Sequence, residues 1–413
     1  MKRYFVLGGL FVLSLITYVD RACIASAKGA VARDLSLTDQ QMGAAFSAFA
    51  LGYALAQVPS GWLADRLGPR VALALVVTVW SFFTGLTGAA QSLGVMLAVR
   101  FLFGVGEAGA FPGSARAVVN WMPVSERGRA NGILFSGSRI GAALAFPLLA
   151  WMLGSYGWRW SFVMLGAAGV LWAAAWLAWF RDYPNEKDAP SQPVVVASQP
   201  SFSVVFRSRA MRLAMARYFA SNFTFFICLS WMLPYLKERF SLSDAAAARY
   251  AMIPLLCGAT AQWVAGFAVD HLHASPWRAW SRRLPAIFGF LLAAAGMLAI
   301  TMVDDPASAS ACFAVAAFGA DLTISPSWTF CQDIGGGNAG AVSGAMNMLG
   351  NIGSFVSSIA FPWLRAATGG AEAYFVVAAL LNVAAIFCWL RMRPASSFEQ
   401  ERFEPARQTP GSH

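Results

Sequence analysis

GWLADRLGPR, residues 61–70, is a short polar and basic island between two apolar runs, 42–64 and 71–91. Each run is close to the ~20 residues that a helix needs to cross a hydrocarbon core, and the island carries the Gly, Pro and charge of a tight connection. The same alternation continues on both sides. Expected spans are 5–26, 42–64, 71–91, 94–118, 130–153, 158–180, 211–236, 249–269, 284–303, 308–330, 338–364 and 371–392. Composition agrees, since 58% of the 413 residues are hydrophobic and 12% charged, against roughly 25% charged in a soluble domain. The sequence therefore predicts an all-α membrane protein with twelve transmembrane helices. An alternative for the first run is a signal peptide ending at Ala25-Ser26-Ala27; Asp20 and Arg21 argue against it, and its loss would leave an odd number of helices.

Lys and Arg near span ends favour the cytoplasm. Lys2, Arg3, Arg66, Arg70, Arg127, Arg129, Arg207, Arg209, Arg212, Arg278, Arg282, Arg283, Arg391 and Arg393 all fall on the side that carries both termini. That side is expected to be cytoplasmic, with the protein multi-pass in the inner (plasma) membrane. The net charge of +10 is then a topology signal, and its scatter over short loops gives no reason to invoke nucleic acid. Cys23, Cys228, Cys257, Cys312, Cys331 and Cys388 show no CxxC spacing and read as small apolar residues. His271, His273 and His413 form no metal-ligand pattern with an acidic residue in a span, so no metal or cofactor is expected.

Residues 181–210 are rich in Pro, Ser and Gln, and divide the spans six and six. GWLADR (61–66) is echoed by GFAVDH (266–271), and GILFSGSRIG (132–141) by GAMNMLGNIG (344–353). The expected organisation is a six-helix bundle at 1–180, a cytoplasmic linker at 181–210, a second six-helix bundle at 211–392 and a cytoplasmic tail at 393–413. Two such pseudo-symmetric units enclose a central cavity at the bilayer midplane.

The 61–70 segment, between the second and third spans, resembles the signature loop of the major facilitator superfamily. The resemblance implies that Gly61 permits close helix approach, while Asp65, Arg66 and Arg70 make gating contacts that break and re-form. The second copy keeps Gly266 and Asp270 but departs afterwards, which leaves its gating contacts open. YVDR (18–21), RFLFGVGEAGAFPG (100–113), NWMPVSERGRANGILFSGSRIG (120–141) and PSWTFCQDIGGGNAGAVSGAMNMLGNIG (326–353) are similar to the anion:cation symporter family within it, which includes bacterial sugar-acid permeases.

Charged side chains at membrane depth cost at least ~2.5 kcal/mol each on insertion scales, so they face a wet cavity or a partner. Arg100 and Glu107 share one face of the fourth span, about two turns apart. They form either a structural ion pair or a proton site, because a carboxyl held between desolvation and a guanidinium can load and release a proton. The family resemblance makes Glu107 the proton-coupling group and Arg100 its modulator. Asp20 and Arg21 point about 100° apart. By resemblance Arg21 meets the substrate carboxylate and Asp20 is a second protonatable site, with an ordinary helix-end ion pair as the alternative for Asp20. Arg139 either offers a second contact to a dianionic or bulky anion or neutralises Asp20 or Glu107 across the bundle, the second being favoured. Asp321 is equally open. Tyr53, Ser327, Trp328 and Asn347 complete the candidate substrate site, Trp328 and Asn347 by resemblance and all of them with interhelical hydrogen bonding as the alternative. Ser325 is a further polar candidate, and Asn222 and Asn351 stand on depth alone.

The resulting expectation is a proton-coupled symporter, not an enzyme, that imports a small organic anion by alternating access. The anion is expected to be a sugar acid such as an aldonate, hexuronate or aldarate. The partners are the anion, protons and the bilayer, and the protein is expected to act as a monomer. Proton-coupled efflux of an organic anion is the alternative within transport. A membrane substrate sensor is the alternative outside it.

Overall fold

A computed structural model of the chain describes residues 2–184, 206 and 208–392. The expected tail at 393–413, and residues 185–205 and 207 of the expected linker, lie outside the described residues. Among the described residues all extended elements are helical: α1 (Lys2–Asp34), α2 (Asp39–Thr87), α3 (Leu93–Glu107), α4 (Ala110–Trp121), α5 (Arg127–Trp179), α6 (Arg209–Ser230), α7 (Met232–Arg239), α8 (Asp244–His273), α9 (Arg283–Ile300), α10 (Pro306–Leu322), α11 (Ile324–Gly335), α12 (Ala339–Thr368) and α13 (Glu372–Arg391). By length and composition, eight helical stretches among them can cross a membrane, or nine if the bent pair α6–α7 is one span.

Local chemistry sets several starts. Thr38 and Gln41 form a capping box ahead of α2, and Asp305 caps α10 by accepting from Ala307 and Ser308 with Pro306 in the first turn. Each satisfies N–H groups that a helix start leaves open.

Two expected span boundaries fall inside single helices. α2 turns at Gly68, with φ +77°, and α5 turns at Gly157, with φ +73°. L-residues rarely adopt this backbone, and at Gly68 a Cβ would also meet the Asp182 carboxylate at 2.9 Å. Three expected spans are instead interrupted. The 94–118 run is split between α3 and α4, 211–236 between α6 and α7 at Trp231, and 308–330 between α10 and α11 at Thr323.

Apolar packing shows where the two parts of the chain join. One buried cluster unites Val118, Met122 and Leu134 with Met211, Ile334 and Met346. Two further large clusters stay within one part each, from Val19 to Leu165 and from Phe223 to Ala379. α1–α5 and α6–α13 therefore share a core at the end that holds the 122–127 and 336–338 connections. Toward the end that holds 35–38 and 369–371 their cores are separate. The main seams between the parts are α2 on α12 and α5 on α8.

Candidate functional site

Glu107 closes α3 and is fully buried. Its Oε1 accepts from Arg21 Nε at 2.5 Å, with Arg21 Nη2 at the same distance. The guanidinium lies over the rings of Tyr53 (4.4 Å), Tyr18 (5.2 Å) and Phe49 (5.4 Å). A charge-assisted bond walled by aromatic faces is a strong and directional way to hold an arginine.

The expected partnership of Glu107 with Arg100 is corrected. Seven residues along α3 separate them by about 10 Å of rise, and the Arg100 guanidinium is taken up by Phe103 (4.6 Å) and Phe49 (5.1 Å) on the way. Arg21 reaches Glu107 from across the helix pair instead. Arg100 stays close enough for its charge to act on both Glu107 and Asp20.

Asp20, also buried, accepts from Trp80 Nε1 at 3.1 Å, while its Oδ1 has no partner. It forms no ion pair among the described residues, so the helix-end alternative does not hold. Adjacent residues diverge on a helix, and here one faces α2 and the other Glu107.

Asn347 of α12 joins this cluster from the other part of the chain. Its Nδ2 donates to Gln57 Oε1 at 3.0 Å and to the Tyr53 hydroxyl at 3.4 Å. Gln57 is a site residue that sequence reasoning missed, although it follows Tyr53 by one helical turn and so shares its face. Asn222 and Asn351 bond within their own helices, to the carbonyls of Tyr218 and Asn347.

Trp328 and Ser327 have other partners. Trp328 Nε1 donates to the Tyr218 hydroxyl at 2.9 Å, and its ring packs on Phe135 and Phe111. Ser327 donates to the Thr323 carbonyl and accepts from Arg217. Neither bonds to the Arg21–Tyr53–Asn347 cluster. Arg217, another residue missed from sequence, is fully buried, stacks on Trp389 at 4.0 Å and has no ion pair among the described residues.

Arg139 is the second correction. Its partner is Asp321, neither Asp20 nor Glu107, through Nη2 at 2.6 Å and Nε at 3.0 Å. The pair is buried, crosses from α5 to α10, and lies beneath Phe225 at 3.7 Å.

At the shared-core end, the signature segment meets α12. Asp65 accepts from the Gly340 and Ala341 N–H groups, both at 2.8 Å, and a Cβ on Gly61 would run into the Gly340 carbonyl. The second copy makes the matching contact despite its divergent sequence. Asp270 accepts from the Gly128 and Arg129 N–H groups at 2.8 and 2.9 Å, and from Arg129 Nε at 3.0 Å, while Gly266 faces Gly128. Each carboxylate therefore caps the start of a long helix in the opposite part. Unpaired N–H groups and the helix dipole favour an anion there by about 0.3–1 kcal/mol.

Arg66 and Arg70 stay within their own part. Arg66 lies over Trp62 at 5.2 Å, while Arg70 donates to the Leu177 carbonyl through Nη2 at 2.6 Å and to Asp182 through its N–H at 2.7 Å. Burial raises the Asp182 carboxyl above its ordinary range, opposed by the Arg70 N–H and charge. Further bonds across the seam are Arg127–Asp333 at 2.8 Å and a reciprocal amide pair, Asn131 with Gln332, at 2.9 and 3.0 Å.

The family profile of the Major Facilitator Superfamily matches residues 10–358. The chain belongs to the major facilitator superfamily. Its relatives in this superfamily include the probable sulfoacetate transporter SauU of Cupriavidus necator, 31% identical over 400 residues that cover 93% of this chain and 92% of the relative. The probable galactarate/D-glucarate transporter GudP of Bacillus subtilis is 30% identical, covering 94% and 91%. Among solved structures, the proton:xylose symporter XylE superposes with a TM-score of 0.78 at 15% identity, covering 97% of this chain and 98% of that one. That likeness is one of major facilitator fold. The curated relatives match almost end to end and are transporters of small organic anions by name.

Proposed function

We propose that the protein is a proton-coupled symporter that imports a small organic anion, a sugar acid or similar acid, across the inner membrane by alternating access. Counting turns at Gly68 and Gly157, and taking α3–α4, α6–α7 and α10–α11 as one span each, gives twelve spans. They form two six-helix bundles, 1–180 and 211–392, joined by the 181–210 linker, and one chain supplies the whole site, consistent with a working monomer. The basic loop residues, among them Arg66, Arg127, Arg129, Arg278 and Arg282, gather at the shared-core end, so that end and both termini are cytoplasmic. The conformation described is then closed toward the cytoplasm by Asp65, Asp270 and Asp333.

The observation that carries the reading is the Arg21–Glu107 pair, bonded at 2.5 Å beside Tyr53 and Asn347. A guanidinium fork that holds an internal carboxylate can hold a cargo carboxylate in the same way. Protonation of Glu107 weakens its claim on Arg21 and favours cargo, and deprotonation restores the internal pair and favours release. Tyr53 and Asn347 add polar contacts from both bundles, so a bound polyol acid touches both rocking parts. Trp328 backs the site through its ring packing. The names of the relatives, which carry sulfoacetate and galactarate or glucarate, support an acid as cargo.

The test is uptake of labelled sulfoacetate, aldonates, hexuronates and aldarates into proteoliposomes, with and without an inward proton gradient. At least one acid should accumulate in a gradient-dependent way. Uptake of none, or uptake indifferent to the gradient, would remove the symport reading.

A further inference from the structure

A groove of about 560 Å³ runs between the first turns of α1 and the last turns of α5. It lies on the outer surface of the spans, where Tyr4, Val12 and Trp179 are exposed. Glycine makes it. A Cβ on Gly8 would meet nothing within 4 Å, and one on Gly9 would already touch Trp176 and Trp179 at 3.0 and 3.1 Å. The missing side chains leave a slot with Tyr4 at one end and Val12 at the other.

The α5 wall of the slot is fixed in advance. Trp172, Trp176 and Phe180 stack with interplanar angles of 15° and 14°. Trp172 Nε1 donates to the Gly9 carbonyl at 3.2 Å and Trp176 Nε1 to the Pro69 carbonyl at 3.3 Å, so an apolar guest strands neither indole donor. Residues 4–12 rise about 12 Å along α1, against about 15 Å for half of the hydrocarbon core. The slot therefore has the length of one leaflet. An empty slot would leave its lining without dispersion contacts on one side.

The mouth of the slot is basic. Arg3 lies over the Tyr4 ring at 5.3 Å, and Arg70 holds the Leu177 carbonyl between Trp176 and Trp179. Arg181, two residues beyond Trp179, is exposed and its side chain makes no bond among the described residues. The carboxylates nearby are engaged. Glu126 pairs with Arg3 at 3.0 Å and is shared with Arg129, and Asp182 accepts from the Arg70 N–H at 2.7 Å.

We propose that this groove is a binding site for an anionic phospholipid of the cytoplasmic leaflet, with one acyl chain in the slot over Gly8 and the phosphate-bearing headgroup at Arg181 and Arg3. The site goes beyond transport and takes from that reading only the cytoplasmic placement of this end. Arginines at a cytoplasmic interface favour anionic headgroups, and the aromatic wall sets the chain beneath them. Because α1 and α5 belong to the same part of the chain, the lipid braces the helix that carries Arg21 within its own bundle.

The test is lipid retention, read by native mass spectrometry of the purified full chain after exchange into mild detergent. The chain is titrated with phosphatidylglycerol or phosphatidylcholine of identical acyl chains. The parent should retain one phosphatidylglycerol at least ~5-fold more tightly than phosphatidylcholine. Gly8→Leu fills the slot where a Cβ has open space, and should weaken both lipids by at least ~10-fold. Val12→Trp blocks the far end from an exposed position; it should do the same, and serves if Gly8→Leu fails to fold. Arg3→Gln/Arg181→Gln should keep phosphatidylcholine retention within about 2-fold of the parent and bring phosphatidylglycerol down to the same level. Equal retention of the two lipids by the parent overturns the proposal, as does retention that Gly8→Leu and Val12→Trp leave unchanged. A lipid-free dimer of the parent that Gly8→Leu abolishes assigns the groove to a second copy of the chain and overturns it equally.

Discussion

Arg21 is gripped by Glu107 on one side and by the faces of three aromatic rings on the others, so its charge and its plane are both fixed. A lysine would supply the charge without the plane. Arg21→Lys should therefore lower cargo affinity by more than ~10-fold with the fold intact, and equal affinity by calorimetry would take Arg21 out of the binding site. Arg217 presents the reverse situation, a buried guanidinium with Ser327, Met346 and Trp389 around it and, among the described residues, no carboxylate bonded to it. Taking such a charge out of water costs free energy that no counter-ion returns. Arg217→Met should leave the thermal midpoint unchanged or raise it, and a fall of several degrees would show that its stacking and hydrogen bonds outweigh that cost. Sequence alone exposed Arg21, Glu107, Asp20 and Arg139, because an ion inside an apolar run is expensive and so conspicuous. Their partners were hidden. Same-face spacing pointed Arg100 to Glu107, whereas the intervening Phe103 takes the guanidinium and a different helix supplies the arginine. Arg217 escaped notice because it lies near the start of an expected span, where a basic side chain ordinarily snorkels to the interface.

Among the helices, the recurring device is a carboxylate three residues before a helix turn or end, Gly68 or His273, that caps the start of another helix across the seam. Asp65 caps α12 and Asp270 caps α5, and both approaches depend on glycine pairs, Gly61 with Gly340 and Gly266 with Gly128. In a bilayer no hydrophobic drive holds helices together, so close backbone contact and polar bonds carry the seam. Asp65→Ala removes two bonds and leaves two N–H groups without partners when this end is shut, which should shift the population toward an end that is open. Spin labels at Arg66 and Ala279, both exposed on opposite sides of the seam, report that directly once the six native cysteines are replaced. The distance distribution should lengthen in Asp65→Ala, and again in Asp270→Ala. An unchanged distribution in both would make these contacts incidental to closure. The duplicated segments made this symmetry legible, because GWLADR and GFAVDH keep glycine and aspartate at the same interval. The breaks at Ala108 and Thr323 were not legible, since neither residue carries the backbone signature of a helix stop and tertiary packing decides where those spans bend.

At the scale of the whole molecule, the two parts share one apolar core at the basic end and keep separate cores at the other. Such a body can rock about its middle with little repacking inside each part, provided that the polar bonds at the shared end break together. In the proposed symport, coupling to protons depends on whether the loaded and empty carriers reorient, and the Arg21–Glu107 pair is the contact that we propose competes with cargo. Glu107→Gln imitates the protonated acid in shape and hydrogen bonding but cannot change charge. The variant should bind cargo and exchange labelled for unlabelled anion across the membrane, since the loaded carrier needs no proton transfer in order to reorient. It should fail to concentrate cargo under an inward proton gradient, with accumulation falling by more than ~10-fold while counterflow stays within about 3-fold of the parent. Measured in the same vesicles, the two assays separate coupling from carrying. If Glu107→Gln still accumulates cargo with the gradient, the proton is carried elsewhere, and Asp20, bonded to Trp80 with one carboxylate oxygen unpartnered, is the next residue to neutralise. If counterflow is lost in a folded variant, the carboxylate itself is needed to orient Arg21 for cargo. Glu107 would then be part of the binding machinery, and the pair at 2.5 Å would act as a positioning contact instead of a competing one.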